Sequence, residues 1–323
     1  MKWKKRCLIF NPSDFQLKNG CTEFAQSPQT IVFDDYVRIY FSTRKRDEKG
    51  AYLSCISYVD MDSDLQKIIN ISEEEVISLG ELGTFDEHGI FPISPFIHNK
   101  EIYAFTCGWN RRISVPVETS IGLAKSYDEG KTFSRLGNGP VLTSSLHEPV
   151  LVGDGFVKYY ENKFHMWYIY GQKWIPETEN EPVARVYKIA HAISDDLINW
   201  EKEEEENKQI IPDFLNKNEC QALPTVEKIG NTYHLYFCFR EATDFRKNPA
   251  RGYKIGYAYS SDLKNWKRDD ELGGIKISEK SKDWDSEMQC YPHIFSVKEK
   301  TFLLYNGNEF GKFGFGLAEL IND

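Results

Sequence analysis

"YKIGYAYSSDLKNW", residues 253–266, is a near copy of "YKIAHAISDDLINW", residues 187–200, displaced by 66 positions. Repetition at a fixed period outranks local propensity as a fold signal, because each repeat buries its apolar face only against its neighbours. A looser copy, "SIGLAKSYDEGKTF", occupies 120–133, "YLSCISYVDMDSDL" fills the same slot at 52–65, and "FGFGLAEL" at 313–320 is a truncated copy.

A second signature precedes these. A glutamate stands five residues before a proline in "EFAQSP" (Glu23, Pro28), "EHGIFP" (Glu87, Pro92), "ECQALP" (Glu219, Pro224) and "EMQCYP" (Glu287, Pro292). The successive spacings are 64, 132 and 68, so one unit near residue 150 lacks the signature. Aligning the apolar run of "HEPVLVGDGFVKYYENKFHMWYIY" with the others puts Asp154-Gly155 where they carry x-Pro.

Each unit then holds a short strand after the proline and an aromatic strand: "YVRIYF", "EIYAF", "FHMWYIY", "TYHLYF" or "TFLLY". A polar loop, a third strand, a Ser-x-Asp turn and a last strand follow. Such β-branched and aromatic runs, bounded by Asn, Gly, Asp and Lys, read as strands. Four short strands per unit of about 65 residues, five times over, predict an all-β fold: one five-bladed β-propeller of four-stranded blades over 1–323. The fifth unit stops after its third strand. The apolar "CLIF" at 7–10 is therefore expected to join the last blade, close the ring and remove its open edges.

Composition bounds the function. The chain has 323 residues, 41% hydrophobic and 14% aromatic, enough for a large core. A net charge of −9 is the reverse of a nucleic-acid binder's balance. No apolar run approaches membrane-spanning length, so no membrane contact is expected. Seven scattered cysteines, an odd number with no CxxC pair, argue against a disulfide framework or a zinc ribbon and for reduced thiols in the cytoplasm. His88, His147 and His293 flank the repeated acids. They fit hydrogen bonding to strand starts better than metal ligation, and no metal or cofactor is expected.

In a propeller, residues placed alike before the innermost strands converge on one mouth. That predicts a carboxylate ring of Glu23, Glu87, Asp154, Glu219 and Glu287. Converging like charges raise one another's proton affinity and split the roles of acid and base. The alternative is that the repeated glutamates accept backbone N–H bonds and fasten the blades. The loops after the aromatic strands carry Arg44, Arg46, Arg111, Arg112, Lys173, Arg240, Arg246 and Arg251. They also carry Trp109 and Trp174, suited to stacking on a sugar, and Asn306 and Asn308, suited to its hydroxyls. A cationic rim on an acidic protein predicts an anionic ligand such as phosphate, a sugar phosphate, a nucleotide sugar or an acidic sugar. The competing reading pairs these arginines with Asp47, Glu241, Asp244 and Glu309. "SYDEGKTF" fits the sialidase Asp-box, a structural turn, and the acidic run at 201–206 reads as a solvated face.

The repeats, the "DLxNW" turns and the blade-four Glu219 resemble the five-bladed propeller glycosidase clan. That clan includes invertases, levansucrases, arabinanases, xylosidases and related mannoside phosphorylases. "ECQALP" looks like the invertase-type Glu-Cys motif, and Asp154-Gly155 like the Asp-Pro of blade three. The resemblance implies that Glu219 is the general acid, Glu23 the base or nucleophile and Asp154 the supporting carboxylate. It departs from the clan at Ser27, which stands before Pro28 where the clan carries an aspartate. Three outcomes stay open: glycoside hydrolysis, phosphorolysis or transfer on a phosphate-bearing or acidic sugar, and sugar binding without chemistry.

Overall fold

The computed structural model describes residues 1–323 apart from 18–19, 180, 203–207, 281 and 322–323, so most of the acidic run lies outside the described residues. Its apolar runs pair into five antiparallel four-stranded sheets. Blade one holds β2 (Glu23–Val32), β3 (Tyr36–Arg46), β4 (Tyr52–Asp62) and β5 (Ile68–Ile71). Blade two holds β6 (Ile90–His98), β7 (Glu101–Arg111), β8 (Val117–Ser126) and β9 (Ser134–Arg135). Blade three holds β10 (Val152–Tyr160), β11 (Lys163–Ile175), β12 (Ala184–Ser194) and β13 (Glu201–Lys202). Blade four holds β14 (Glu219–Ile229), β15 (Thr232–Glu241), β16 (Lys254–Ser260) and β17 (Lys267–Arg268). Blade five holds β18 (Cys290–Val297), β19 (Lys300–Asn306) and β20 (Phe315–Leu320), with β1 (Trp3–Phe10) from the N-terminus as its outermost strand. The ring closure expected from "CLIF" is the one observed.

The innermost strands β2, β6, β10, β14 and β18 touch in order around the axis, and β18 returns to β2. Five apolar clusters fill the blade seams. One, for example, joins Tyr40 and Tyr58 of blade one to Ile93 and Ala104 of blade two. Another joins Tyr236 and Tyr257 of blade four to Leu303 and Tyr305 of blade five. Each aromatic second strand is buried on both faces between two blades, which is why these runs are continuous rather than alternating.

The acids that precede the inner strands have a structural use. In four blades a buried carboxylate before or at the start of the inner strand pairs with a cation on the outermost strand. Asp86 takes Arg135 at 2.6 Å, Glu219 takes Arg268 at 2.6 Å and Asp285 takes Lys5 at 2.7 Å, while Glu148 pairs with Lys202. Each pair clasps a blade from its axis to its rim.

The Ser-x-Asp turns are closed by their own side chains. The carboxylate of Asp196 accepts the N–H groups of Ile198 and Asn199, and Asp262 accepts those of Lys264 and Asn265. Asp128 in the Asp-box-like turn does the same for Thr132.

Candidate functional site: a cationic funnel around one buried carboxyl

All five inner strands are broken at the same point. The pairing register slips at Gln26–Gln29, Ile90–Ile93, Gly153–Phe156, Ala222–Thr225 and Cys290–His293. These are the x-Pro positions, with Asp154-Gly155 in the aligned place. A proline cannot donate to the ladder, which suits it to a bulge. Ser27, Asp154, Leu223 and Tyr291 take left-handed backbone angles, φ between 49° and 56°, and the Phe91–Pro92 bond is cis. Non-glycine residues in this region cost energy and concentrate at functional sites.

The kinks ring the head of a central cavity of about 520 Å³, lined at this level by Gln26, Phe91, Asp154, Leu223 and Tyr291. That volume suits a small organic ligand. The ring holds one carboxylate, not five. The predicted glutamates stand four residues ahead of the kinked position, roughly 13 Å along an extended chain. None of Glu23, Glu87, Glu219 or Glu287 lines the cavity.

Each has another place. The Glu219 carboxylate is fully buried and accepts the N–H groups of Phe214 and Leu215 at 2.9 Å each, the Gln221 amide at 3.0 Å and the Arg268 guanidinium at 2.6 Å. Glu87 accepts the Gly83 N–H, Glu23 is exposed with Lys312 at 3.8 Å, and Glu287 is exposed.

Asp154 remains. It is 8% exposed, accepts the Leu223 N–H at 3.2 Å and faces the cavity. Burial pushes its carboxyl up to about 7, against the weaker pull of the Leu223 N–H and the Arg185 charge. At neutral pH it is poised between acid and carboxylate.

The rim arginines divide. Arg111 binds Asp47 and the Tyr52 carbonyl at 2.7 Å each, Arg112 pairs with Glu118 and Arg251 lies 3.7 Å from Glu241. None of these three lines the cavity, and Lys173 points into solvent. Trp174 stacks under Arg185 instead of lining the funnel. Asn306 is consumed in fastening blade five to blade one, through the Ser27 N–H and the Ala25 carbonyl. Asn308 caps the N–H groups of Glu287 and Met288. Arg44, Arg240 and Trp109 do line it.

The residues missed by the sequence reading are Arg185, Tyr187, Tyr253 and Tyr291, and Arg246 acquires weight as a lining group. Arg44, Arg185, Arg240 and Arg246 share the cavity, and no carboxylate among the described residues forms an ion pair with any of them. Arg44 lies over Phe24 and Arg246 over Phe245 and Phe310. Desolvation first, and then the Arg246 charge, weaken the hold of Arg44 on its proton. One signal for Tyr187 and Tyr253 was present: both open the repeated "YKI" strand at equivalent positions.

No family model matches the chain. Two mycobacterial proteins are each 30% identical to it over 322 residues, spanning 100% of both chains. They are Uncharacterized protein Rv1502 of Mycobacterium tuberculosis strain ATCC 25618 / H37Rv and Uncharacterized protein MT1551 of strain CDC 1551 / Oshkosh. The chain belongs to their family. Solved structures extend the family's likeness in fold. A structure titled glycoside hydrolase superposes with a TM-score of 0.72 at 16% identity, over 99% of this chain and 92% of that one. Another comes from the GH130 family of mannoside phosphorylases, described as containing glycoside hydrolases that target β-1,2 mannosidic linkages in Candida mannan. It gives 0.67 at 12% identity, over 98% and 93%. The family thus shares the five-bladed propeller of the glycosidase clan.

Proposed function

We propose that the protein cleaves or transfers a glycosidic bond of a carbohydrate with an anionic group or co-substrate, in the cytoplasm, and that Asp154 is its proton donor. The observation that carries this reading is one buried carboxyl, with its proton held to about pH 7, in one cavity with four arginines that no carboxylate among the described residues neutralises. The fold shared with glycoside hydrolases and mannoside phosphorylases supports it.

The composition of the funnel favours one chemistry within that class. Hydrolysis of the usual kind needs two carboxyl groups flanking the bond, one as acid and one as base or nucleophile. The only other carboxylate lining the cavity among the described residues is Glu309, which is exposed. With a phosphate group as attacking or leaving partner, one protein acid suffices. The Asp154 carboxyl gives its proton to the departing glycosidic oxygen as a phosphate oxygen bonds to the anomeric carbon. The proton carried by the incoming hydrogen phosphate restores the acid. Guanidinium groups suit the phosphate, and Trp109 and Tyr291 offer ring faces to the sugar. Glu219 then serves as a blade clasp and not as the acid.

The test is thermal stabilisation and turnover across neutral oligosaccharides, sugar phosphates, nucleotide sugars, acidic sugars and free phosphate. Binding to the native state raises the midpoint. Stabilisation by phosphate-bearing or acidic ligands, with turnover lost in Asp154→Asn while binding persists, is the expected result. A response to neutral oligosaccharides alone removes the arginines from the argument.

A further inference from the structure

Arg240 is 4% exposed and lines the funnel. It has no carboxylate partner among the described residues. One terminal nitrogen donates to the carbonyls of Glu241 and Ala242, the other donates to the Tyr187 hydroxyl at 2.8 Å, and its Nε has no partner. A buried cation left without a counter-charge is costly. The Tyr187 hydroxyl in turn lies 2.6 Å from that of Tyr253. Both tyrosines line the same cavity.

The hydrogens can be counted. Two phenols carry two protons, and the contact between them uses one. The other has no acceptor among the described residues. Arg240 lies near both hydroxyls, and its direct donation to the Tyr187 oxygen at 2.8 Å makes Tyr187 the better donor of the pair, since hydrogen bonds aligned in one direction strengthen one another. The order Arg240 to Tyr187 to Tyr253 leaves the Tyr253 O–H as a strengthened donor with nothing but the cavity to serve.

We propose that Arg240, Tyr187 and Tyr253 form an oxyanion seat, in which Tyr253 donates to an acceptor-only oxygen of the ligand and so selects a phosphate or carboxylate group over a neutral hydroxyl. This rests on the reading that the cavity takes an anionic ligand, and it names the residues that read the charge. A sugar hydroxyl can also accept from Tyr253, but it brings no charge to the buried Arg240. A phosphate or carboxylate oxygen takes the phenolic hydrogen and lies near the uncompensated Arg240.

Calorimetric titration with inorganic phosphate and with glucuronate tests it, on the wild type and on Tyr253→Phe, Tyr187→Phe and Arg44→Gln. The expected result is that at least one anion binds the wild type, and that Tyr253→Phe weakens it about ten-fold or more, the effect of removing a hydrogen bond to a charged group. Tyr187→Phe, which keeps the Tyr253 hydroxyl but cuts its link to Arg240, should weaken binding less. It also keeps the test open if Tyr253→Phe folds poorly. Which anion responds distinguishes a phosphate from a sugar acid. Equal affinity in the wild type and both tyrosine variants overturns the seat but, with binding lost in Arg44→Gln, leaves an arginine-bound anion in place. Binding of neither anion overturns both. A purely structural tyrosine pair would lower the ligand-free melting midpoint and leave anion affinity unchanged.

Discussion

Asp154 is the residue on which the proposed chemistry turns, and its environment makes a pH prediction with a definite sign. Its proton affinity is raised from the ordinary 3.8 to about 7 by burial. The folded protein therefore holds a proton that the unfolded chain releases. That contribution is fully present below about pH 4 and is lost as pH climbs towards 7. Asp154→Asn never ionises, so its stability relative to wild type should grow between pH 4 and 8, with a ceiling of about 4 kcal/mol. Urea melts at the two pH values measure this, and a gap that stays constant contradicts the assignment. If Asp154 is the proton donor, kcat/KM should also fall as pH rises past about 7. The sequence reached this residue for a backbone reason. The x-Pro dipeptide marks the bulge in four blades, so alignment of the repeat located the kinked position in the one blade that carries Asp154-Gly155 there instead. The same reading placed Glu219 at the centre because spacing along a chain does not say how far along a strand a side chain lies. For the same reason it could not separate Arg44, which lines the funnel, from Arg111, which an aspartate on a neighbouring blade holds.

At the scale of the blade, buried acids before or at the start of the inner strands become clasps, Glu219 alone among the repeated glutamates. Asp86, Glu148, Glu219 and Asp285 each join the inner edge of a sheet to a cation on its outermost strand. Pairing alone does not stabilise a buried ion pair greatly, but removing one partner strands the other in a dry interior. Glu219→Ala should therefore cost about 2–5 kcal/mol in stability, because the buried Phe214 and Leu215 N–H groups lose their acceptor, while Arg268, which keeps Asp270 at 2.9 Å, and the Gln221 amide each lose one of theirs. Turnover per folded molecule should change little. Parallel urea melts and rate measurements separate the two roles. A Glu219→Gln protein that melts like wild type but has lost turnover would restore Glu219 as a catalytic acid. The sequence contained both halves of each clasp. It could not join them, because Arg135, Lys202 and Arg268 lie 49, 54 and 49 residues beyond their acids, while Lys5 lies 280 residues before Asp285.

At the scale of the whole ring, a funnel fed by all five blades keeps its shape only while the circle is closed, and one strand closes it. β1 pairs with β20 from Trp3 opposite Leu320 to Phe10 opposite Phe315. Its two ends reach different neighbours. The Trp3 indole donates to the Tyr236 hydroxyl at 3.0 Å and the Gly273 carbonyl at 2.9 Å, both in blade four. Phe10 packs against Phe41 of blade one, with ring centroids 5.0 Å apart. The last blade is thereby tied to both seams, and the first blade is held to it again by Asn306 at the edge of the funnel. Loss of β1 would expose the edge of β20 and loosen Arg44 on blade one relative to Arg246 on blade four. Trp3→Ala should lower stability by about 3–5 kcal/mol, the usual effect of emptying a buried aromatic site. Deletion of residues 1–10 should go further and yield a protein that self-associates through the bare strand. Melting curves and light scattering follow the two variants. A monomeric truncated protein with the wild-type midpoint and undiminished anion binding would show that the ring holds without its closing strand, and that the funnel owes its geometry to the seams alone.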